Sequence, residues 1–253
     1  RAWQCGAQDC HEIRSLRVEV GRGLGSTGRT VAFHPKGTHV AACTPGFREI
    51  AVWDLATGEV ERRLADSSRT VVQLEWSRDG GRIAAVFADE RIAVWDAGTG
   101  GRIAYLPEPG TRGIALSPDG SSIAVGAEKS LSLFEVDSGR VLYRIEGTWW
   151  RSVIAFSPDG GLLATASSVP SRWSNERQEV LVREAATGRP VLMLSGCDEG
   201  VDCLAWKPDG SELAAGDLAG AITVWDSTSG ERLAFHAGDG EAVVSLGEFG
   251  RVA

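Results

Sequence analysis

Apolar residues fall along this chain in short runs with a period of two, each cut off by a polar turn. Thr30-Val31-Ala32-Phe33 is followed by His34-Pro35-Lys36-Gly37, and Leu74-Glu75-Trp76 by Ser77-Arg78-Asp79-Gly80. Ile114-Ala115-Leu116 leads into Ser117-Pro118-Asp119-Gly120, and Ile154-Ala155-Phe156 into Ser157-Pro158-Asp159-Gly160. Leu204-Ala205-Trp206 leads into Lys207-Pro208-Asp209-Gly210. A period of two puts alternate side chains on one face, so each run predicts a strand and each turn a hairpin. Turn chemistry agrees: proline presets φ, aspartate bonds back to the backbone, and glycine takes the positive φ that closes the turn.

Beyond each turn a second strand of small residues is expected, as in Ile83-Ala84-Ala85-Val86 and Leu213-Ala214-Ala215-Gly216. Small side chains suit sheets stacked at close quarters. A third strand reads Ile50-Ala51-Val52-Trp53-Asp54, Ile92-Ala93-Val94-Trp95-Asp96 and Ile222-Thr223-Val224-Trp225-Asp226. A second turn follows at Thr57-Gly58, Thr99-Gly100, Ser138-Gly139, Thr187-Gly188 and Ser229-Gly230, then a fourth strand such as Val141-Leu142-Tyr143-Arg144-Ile145. First-turn glycines at 37, 80, 120, 160 and 210 set the period of this internal repeat.

Five tandem copies of four strands, closing on a Trp-Asp pair, resemble the WD-repeat β-propeller family over roughly residues 12–237. The resemblance implies an all-β propeller of four-stranded antiparallel blades around a central channel, used as a platform for protein partners. Both ends look like parts of one further blade. Arg1–Cys5 is expected as a third strand and Ile13–Val18 as a fourth, with Ala242–Leu246 as a first and Arg251–Ala253 as the start of a second. Five complete blades plus one shared between the termini favour a six-blade ring, with a fragment of a seven-blade ring as the alternative. Residues 1–253 are expected to be a single propeller domain. Because residue 1 is arginine and no signal-peptide pattern follows, the segment is expected to be cut from a longer chain.

Several family features are missing. The Gly-His dipeptide that usually precedes the first strand does not occur, and the aspartate expected six residues before the tryptophan is present at Asp89 but replaced by Phe47 and Ala219. The family's buried Asp–His–Ser/Thr–Trp network is therefore expected to be absent or broken. In two repeats Phe134-Glu135 and Arg183-Glu184 stand in place of Trp-Asp.

Composition narrows the function. The 253 residues carry 26 basic and 34 acidic side chains, a net charge of −8. That disfavours nucleic acid as a partner, because counterion release needs a positive surface. No apolar run approaches the ~20 residues of a membrane-spanning helix, so no membrane partner is expected. Five cysteines, none in CxxC spacing, fit reduced thiols and a cytoplasmic protein better than a disulfide scaffold.

Catalytic motifs fail one after another. Gly23-Leu24-Gly25-Ser26-Thr27-Gly28 fits GxGxxG, but a strand is expected after it, leaving no helix N-terminus for a pyrophosphate. His11-Glu12 lacks the second histidine of HExxH, and neither GxSxG nor a phosphate-loop motif occurs. Cys5, Cys10 and His11 lack an obvious fourth ligand for zinc. Cys43 and Cys203 lie in strand patterns as small buried apolar residues, and Cys197, in a connection, is expected at the surface. No enzyme activity, cofactor or metal is expected.

Partner chemistry is more visible. Trp149 and Trp150 precede the first strand of the fourth repeat, and Trp173 lies in an insertion between its second and third strands. Those two loops leave a propeller blade at the same end, so Trp149, Trp150 and Trp173, with Arg151 and Arg172 beside them, are expected to form a protein- or peptide-binding patch. The plainer alternative folds the indoles over the inserted loop. Arg29, Arg69, Arg112 and Arg151 recur at or before first strands and could ring the channel mouth, gripping an acidic or phosphorylated segment. Solvated pairing with nearby carboxylates is the simpler reading of that set. The expected function is a non-catalytic interaction scaffold or sensor module, whose partners include other domains of the same chain. The alternative is an accessory or gating propeller of a larger enzyme such as a hydrolase or signalling kinase.

Overall fold

The computed structural model describes residues 2–5, 10–14, 30–43, 49–65, 70–147, 152–167, 178–197 and 199–237. Regular structure among them is strand throughout. A two-stranded pair, β1 (Ala2–Cys5) and β2 (Cys10–Arg14), precedes five four-stranded antiparallel sheets, each a blade of a β-propeller. Blade 1 comprises β3 (Val31–Phe33), β4 (His39–Cys43), β5 (Glu49–Asp54) and β6 (Val60–Ala65). Blade 2 comprises β7 (Val71–Trp76), β8 (Arg82–Phe87), β9 (Arg91–Asp96) and β10 (Arg102–Pro107). Blade 3 holds β11 (Thr111–Leu116), β12 (Ser122–Ala127), β13 (Ser130–Glu135) and β14 (Val141–Glu146). Blade 4 holds β15 (Ser152–Phe156), β16 (Leu162–Ser167), β17 (Gln178–Glu184) and β18 (Pro190–Cys197). Blade 5 holds β19 (Val201–Trp206), β20 (Glu212–Asp217), β21 (Ile222–Asp226) and β22 (Arg232–His236). In each blade the strands lie side by side in chain order.

The expected strands recur with shifts of a residue or two. At the N-terminus the second strand of the pair starts earlier than the Ile13–Val18 reading, at Cys10, which puts Cys10 opposite Cys5 and His11 opposite Gln4. The expected terminal strands 242–246 and 251–253 lie outside the described residues. Cys197 is a correction: it ends β18 opposite Gln178 and is buried, because the fourth strand of blade 4 runs on past the turn pattern that suggested a connection.

Contacts divide the chain into two compact units, Arg1–Leu106 and Pro107–Ala253. In the first, blade 2 stacks on blade 1 around Val52, Leu64, Leu74, Phe87 and Trp95. The second unit stacks blade 4 on blade 3 around Leu133, Leu163 and Ala185, and blade 5 on blade 4 around Val180, Leu194, Trp206 and Trp225. Second strands supply the tightest layer: Ala41, Ala84, Ala85, Ala124, Ala164 and Ala214 are buried without remainder. Alanine lets adjacent sheets approach while both faces leave water, which is the main stabilising term for a stacked sheet.

Two of these seams are also fixed by polar groups. Trp76 Nε1 donates to the Ala32 carbonyl of blade 1 at 3.0 Å, and Trp206 Nε1 to the Ala155 carbonyl of blade 4 at 3.1 Å. Trp225 Nε1 donates to the Ser195 carbonyl at 3.1 Å, tying β21 to the outer strand of blade 4. Phe33 holds the repeat position of Trp76 and Trp206 in blade 1 and is 55% exposed.

The turns explain the repeated polar residues. Ser77, Ser117 and Ser157 each donate to the aspartate two residues on, at 2.5–2.6 Å, and accept the N–H five residues on. Asp54, Asp96 and Asp226, which follow the tryptophans, accept the N–H of Thr57, Thr99 and Ser229 and so close the turn into the fourth strand. Glu135 and Glu184 keep part of that job, each accepting a hydroxyl proton at 2.5 Å, from Ser138 and Thr187.

Candidate functional site

The corner of blade 4 is where the partner patch was expected. Ser152 at the start of β15 and Ser167 at the end of β16 are register partners. These two residues, from which the chain continues toward Trp149–Arg151 and Arg172–Trp173, therefore stand side by side at one end of the sheet. The β16–β17 connection runs from Ser167 to Gln178, whereas Phe87 to Arg91, Ala127 to Ser130 and Asp217 to Ile222 are short turns. Trp149, Trp150, Arg151, Arg172 and Trp173 themselves lie outside the described residues, as do Arg29 and Arg69.

Arg112 is the member of the arginine set that is described. It sits on β11, 40% exposed in its side chain, with Nη2 3.6 Å from Glu128 in the β12–β13 turn. Arg91 faces Asp89 at the same distance at the corresponding end of blade 2. Where they are described, the arginines at this end of the blades are paired with local carboxylates, which lowers their pull on an incoming anion.

Beneath that end of blade 3 is a buried polar cluster that sequence reasoning missed. Glu108, in the loop leading into β11, is 2% exposed. Its Oε2 accepts from Arg144 Nη2 on β14 at 2.6 Å, and its Oε1 from Ser130 Oγ on β13 at 3.0 Å. Thr111 Oγ1 donates to the Glu108 carbonyl at 2.5 Å. The carboxylate thus joins the incoming loop to the third and fourth strands. A buried network of this kind was expected to be missing because its family residues are missing; in blade 3 a glutamate-centred one is present instead. The signal available was a lone glutamate between prolines, Pro107-Glu108-Pro109, and two serines alternating with leucines in the third strand.

A second missed cluster lies at the opposite end of blade 1. Thr38 Oγ1 is 2.8 Å from His39 Nδ1, and His39 Nε2 is 2.6 Å from Glu61 Oε2. Hydroxyl, imidazole and carboxylate in a row have the connectivity of a nucleophile relay. Thr38 is exposed on an open turn, however, so nothing there excludes water or holds a substrate. Among the described residues no group of three or more His, Cys, Asp or Glu could hold a metal. Of the candidate zinc ligands, Cys5, Cys10 and His11 are described only as strand residues. The Gly23–Gly28 loop is outside the described residues; the next described element after it is β3, a strand and not a helix. No helix among the described residues is long and apolar enough to cross a membrane.

A family model described as "WD domain, G-beta repeat" matches residues 188–226. That stretch runs from the second turn of blade 4 through β18 and on to the end of β21, so the sequence repeat is one strand out of step with the blade. The chain is similar to eukaryotic translation initiation factor 3 subunit I of Scheffersomyces stipitis, 26% identical over 184 residues, covering 67% of this chain and 51% of that protein. The same subunit of Candida albicans aligns with the same identity and coverage. Nuclear distribution protein PAC1 of Arthroderma otae is 26% identical over 244 residues, covering 87% of this chain and 48% of that protein. The chain spans about half the length of the curated relatives it matches.

Proposed function

This chain is a member of the WD-repeat family, and from that premise we propose that it is a non-catalytic scaffold or sensor module of the cytoplasm, holding a protein or peptide at the corner of blade 4. The observation that supports this reading is the register pairing of Ser152 with Ser167, the described residues from which the chain continues toward the two tryptophan-bearing segments. Indole and guanidinium groups dominate binding hot spots because they bury much area at little entropic cost and still offer donors. Trp149, Trp150, Arg151, Arg172 and Trp173 are that set. Arg29, Arg69 and Arg112 would add a weaker, salt-sensitive grip on an acidic or phosphorylated segment. Two relatives are by name subunits of a larger factor, a role built on contact with other proteins. The buried thiols of Cys43, Cys197 and Cys203 suit a reducing compartment. We further propose that residues 1–253 form one propeller domain.

The test is affinity capture with Trp149→Ala and Trp173→Ala beside Leu233→Ala on the outer strand of blade 5. The first two should lose the natural partner at least about tenfold with an unchanged melting temperature, and Leu233→Ala should keep it. Retention by both tryptophan variants sinks the patch. Capture that weakens with salt supports the arginine set, and capture indifferent to salt removes it.

A further inference from the structure

The first turn of blade 1 departs from its counterparts in a way that reaches the next blade. Where blades 2, 3 and 4 have a serine bonded to an aspartate, blade 1 has His34 with Lys36 in the aspartate's place. The Lys36 N–H donates to His34 Nδ1 at 3.1 Å, and Thr38 Oγ1 lies 3.2 Å from the same nitrogen. A ring nitrogen that accepts an N–H carries a lone pair, so the imidazole is neutral with its proton on Nε2. The ring stands edge-on to Trp76 of blade 2, centroids 4.9 Å apart, and reaches the turn glycine Gly80, where a Cβ would fall 2.1 Å from Nε2. His34 is thus a plug seated in the seam. Trp76, its neighbour, is the residue whose indole bonds across that seam to Ala32.

We propose that the seam between blades 1 and 2 is an acid-sensitive joint operated by His34, closed by the neutral imidazole and loosened by the imidazolium. A proton on Nδ1 would meet the Lys36 N–H head-on and cancel the bond that shapes the turn. The new charge would face His39 on β4, whose ring centroid is 5.7 Å away, and the Lys36 ammonium. His39 in turn lies 2.6 Å from Glu61 on β6 and 3.9 Å from Asp54 on β5. From blade 2, Asp79 attracts the charge on His34. Burial and then His39 and Lys36 outweigh it, holding the His34 pKa below the ordinary histidine value. As pH falls below about 6.5 the unfolded chain takes up this proton before the folded one, so stability is lost on acidification. The joint does not depend on the partner-binding reading.

The experiment combines imidazole NMR titration with melting curves at pH 7.5 and 5.5 on the whole chain, for wild type, His34→Ser and His39→Gln. His34→Ser installs the residue of the neighbouring blades. Wild type should lose about 2–4 °C more on acidification than His34→Ser, and the Trp76 indole resonance should shift or broaden over the range in which His34 titrates. His39→Gln should raise the His34 midpoint and shrink the acid loss. Equal losses in wild type and His34→Ser overturn the proposal, as does a His34 midpoint at or above that of an unstructured histidine. If His34→Ser fails to fold, the titration of wild type and His39→Gln decides alone: no rise in the His34 midpoint refutes it.

Discussion

Gly37, Gly80 and Gly210 have nearly the same backbone, φ +66, +80 and +77, in equivalent turns, but different surroundings. A Cβ on Gly37 would meet nothing within 4 Å, one on Gly210 would touch Pro158 at 3.7 Å, and one on Gly80 would collide with His34. Left-handed backbone costs a side chain roughly 1–2 kcal/mol. We expect Gly37→Ala and Gly210→Ala to cost about that much in denaturant unfolding, and Gly80→Ala at least about 1 kcal/mol more. Equal costs would mean that φ alone matters. Arg183, 7% exposed at the position tryptophan holds elsewhere, is a second local anomaly. Its Nη1 donates to the Gly188 carbonyl, but its Nε and the nearby Tyr143 hydroxyl are buried without hydrogen-bond partners. Burial lowers the Arg183 pKa and raises that of Tyr143, the signature of polar groups held where water does not reach. Arg183→Met should therefore raise the melting temperature, by about 2–4 °C. A lower melting temperature would show that the guanidinium is better satisfied than its geometry indicates.

At the scale of the element, the blades are held by a few bonds that join parts distant in sequence. The Glu108 carboxylate reaches Ser130 and Arg144, and removing it leaves a serine hydroxyl and a guanidinium without their acceptor. We expect Glu108→Ala to cost about 3 kcal/mol in unfolding free energy. Arg144 is 44% exposed in its side chain, so water can solvate it once freed, and the pair should couple more weakly than a wholly buried one. A double-mutant cycle with Arg144→Ala measures this, and near-zero coupling would make Ser130 the partner that matters. The seam bond of Trp225 is cleaner to isolate. Trp225→Phe keeps most of the apolar area and deletes the donor to Ser195, at an expected cost of about 1 kcal/mol plus the small loss of volume.

For the whole molecule, acid titration reads the turns together. Asp54, Asp96 and Asp226 are held below the ordinary carboxylate range chiefly by backbone N–H donors of Thr57, Thr99 and Ser229. Asp119 and Asp159 are lowered first by the hydroxyls of Ser117 and Ser157. Each lowered carboxylate favours the fold above its unfolded pKa, and that contribution fades as pH drops through its folded value. Stability should therefore fall steeply below about pH 4, beyond any loss at His34, and a flat melting temperature from pH 5 to 3 would contradict it. The sequence by itself determined the strands, the turns and their repeat, because period-two alternation and Ser-Pro-Asp-Gly chemistry are local and act over a few residues. Only the tertiary structure decided the long-range partners: Trp76 on Ala32, His34 against Gly80, Glu108 between Ser130 and Arg144, Cys197 buried at the end of β18. Those partners are dozens of residues apart or meet across two sheets, and the pattern along one strand carries no record of which side chain faces it from the next.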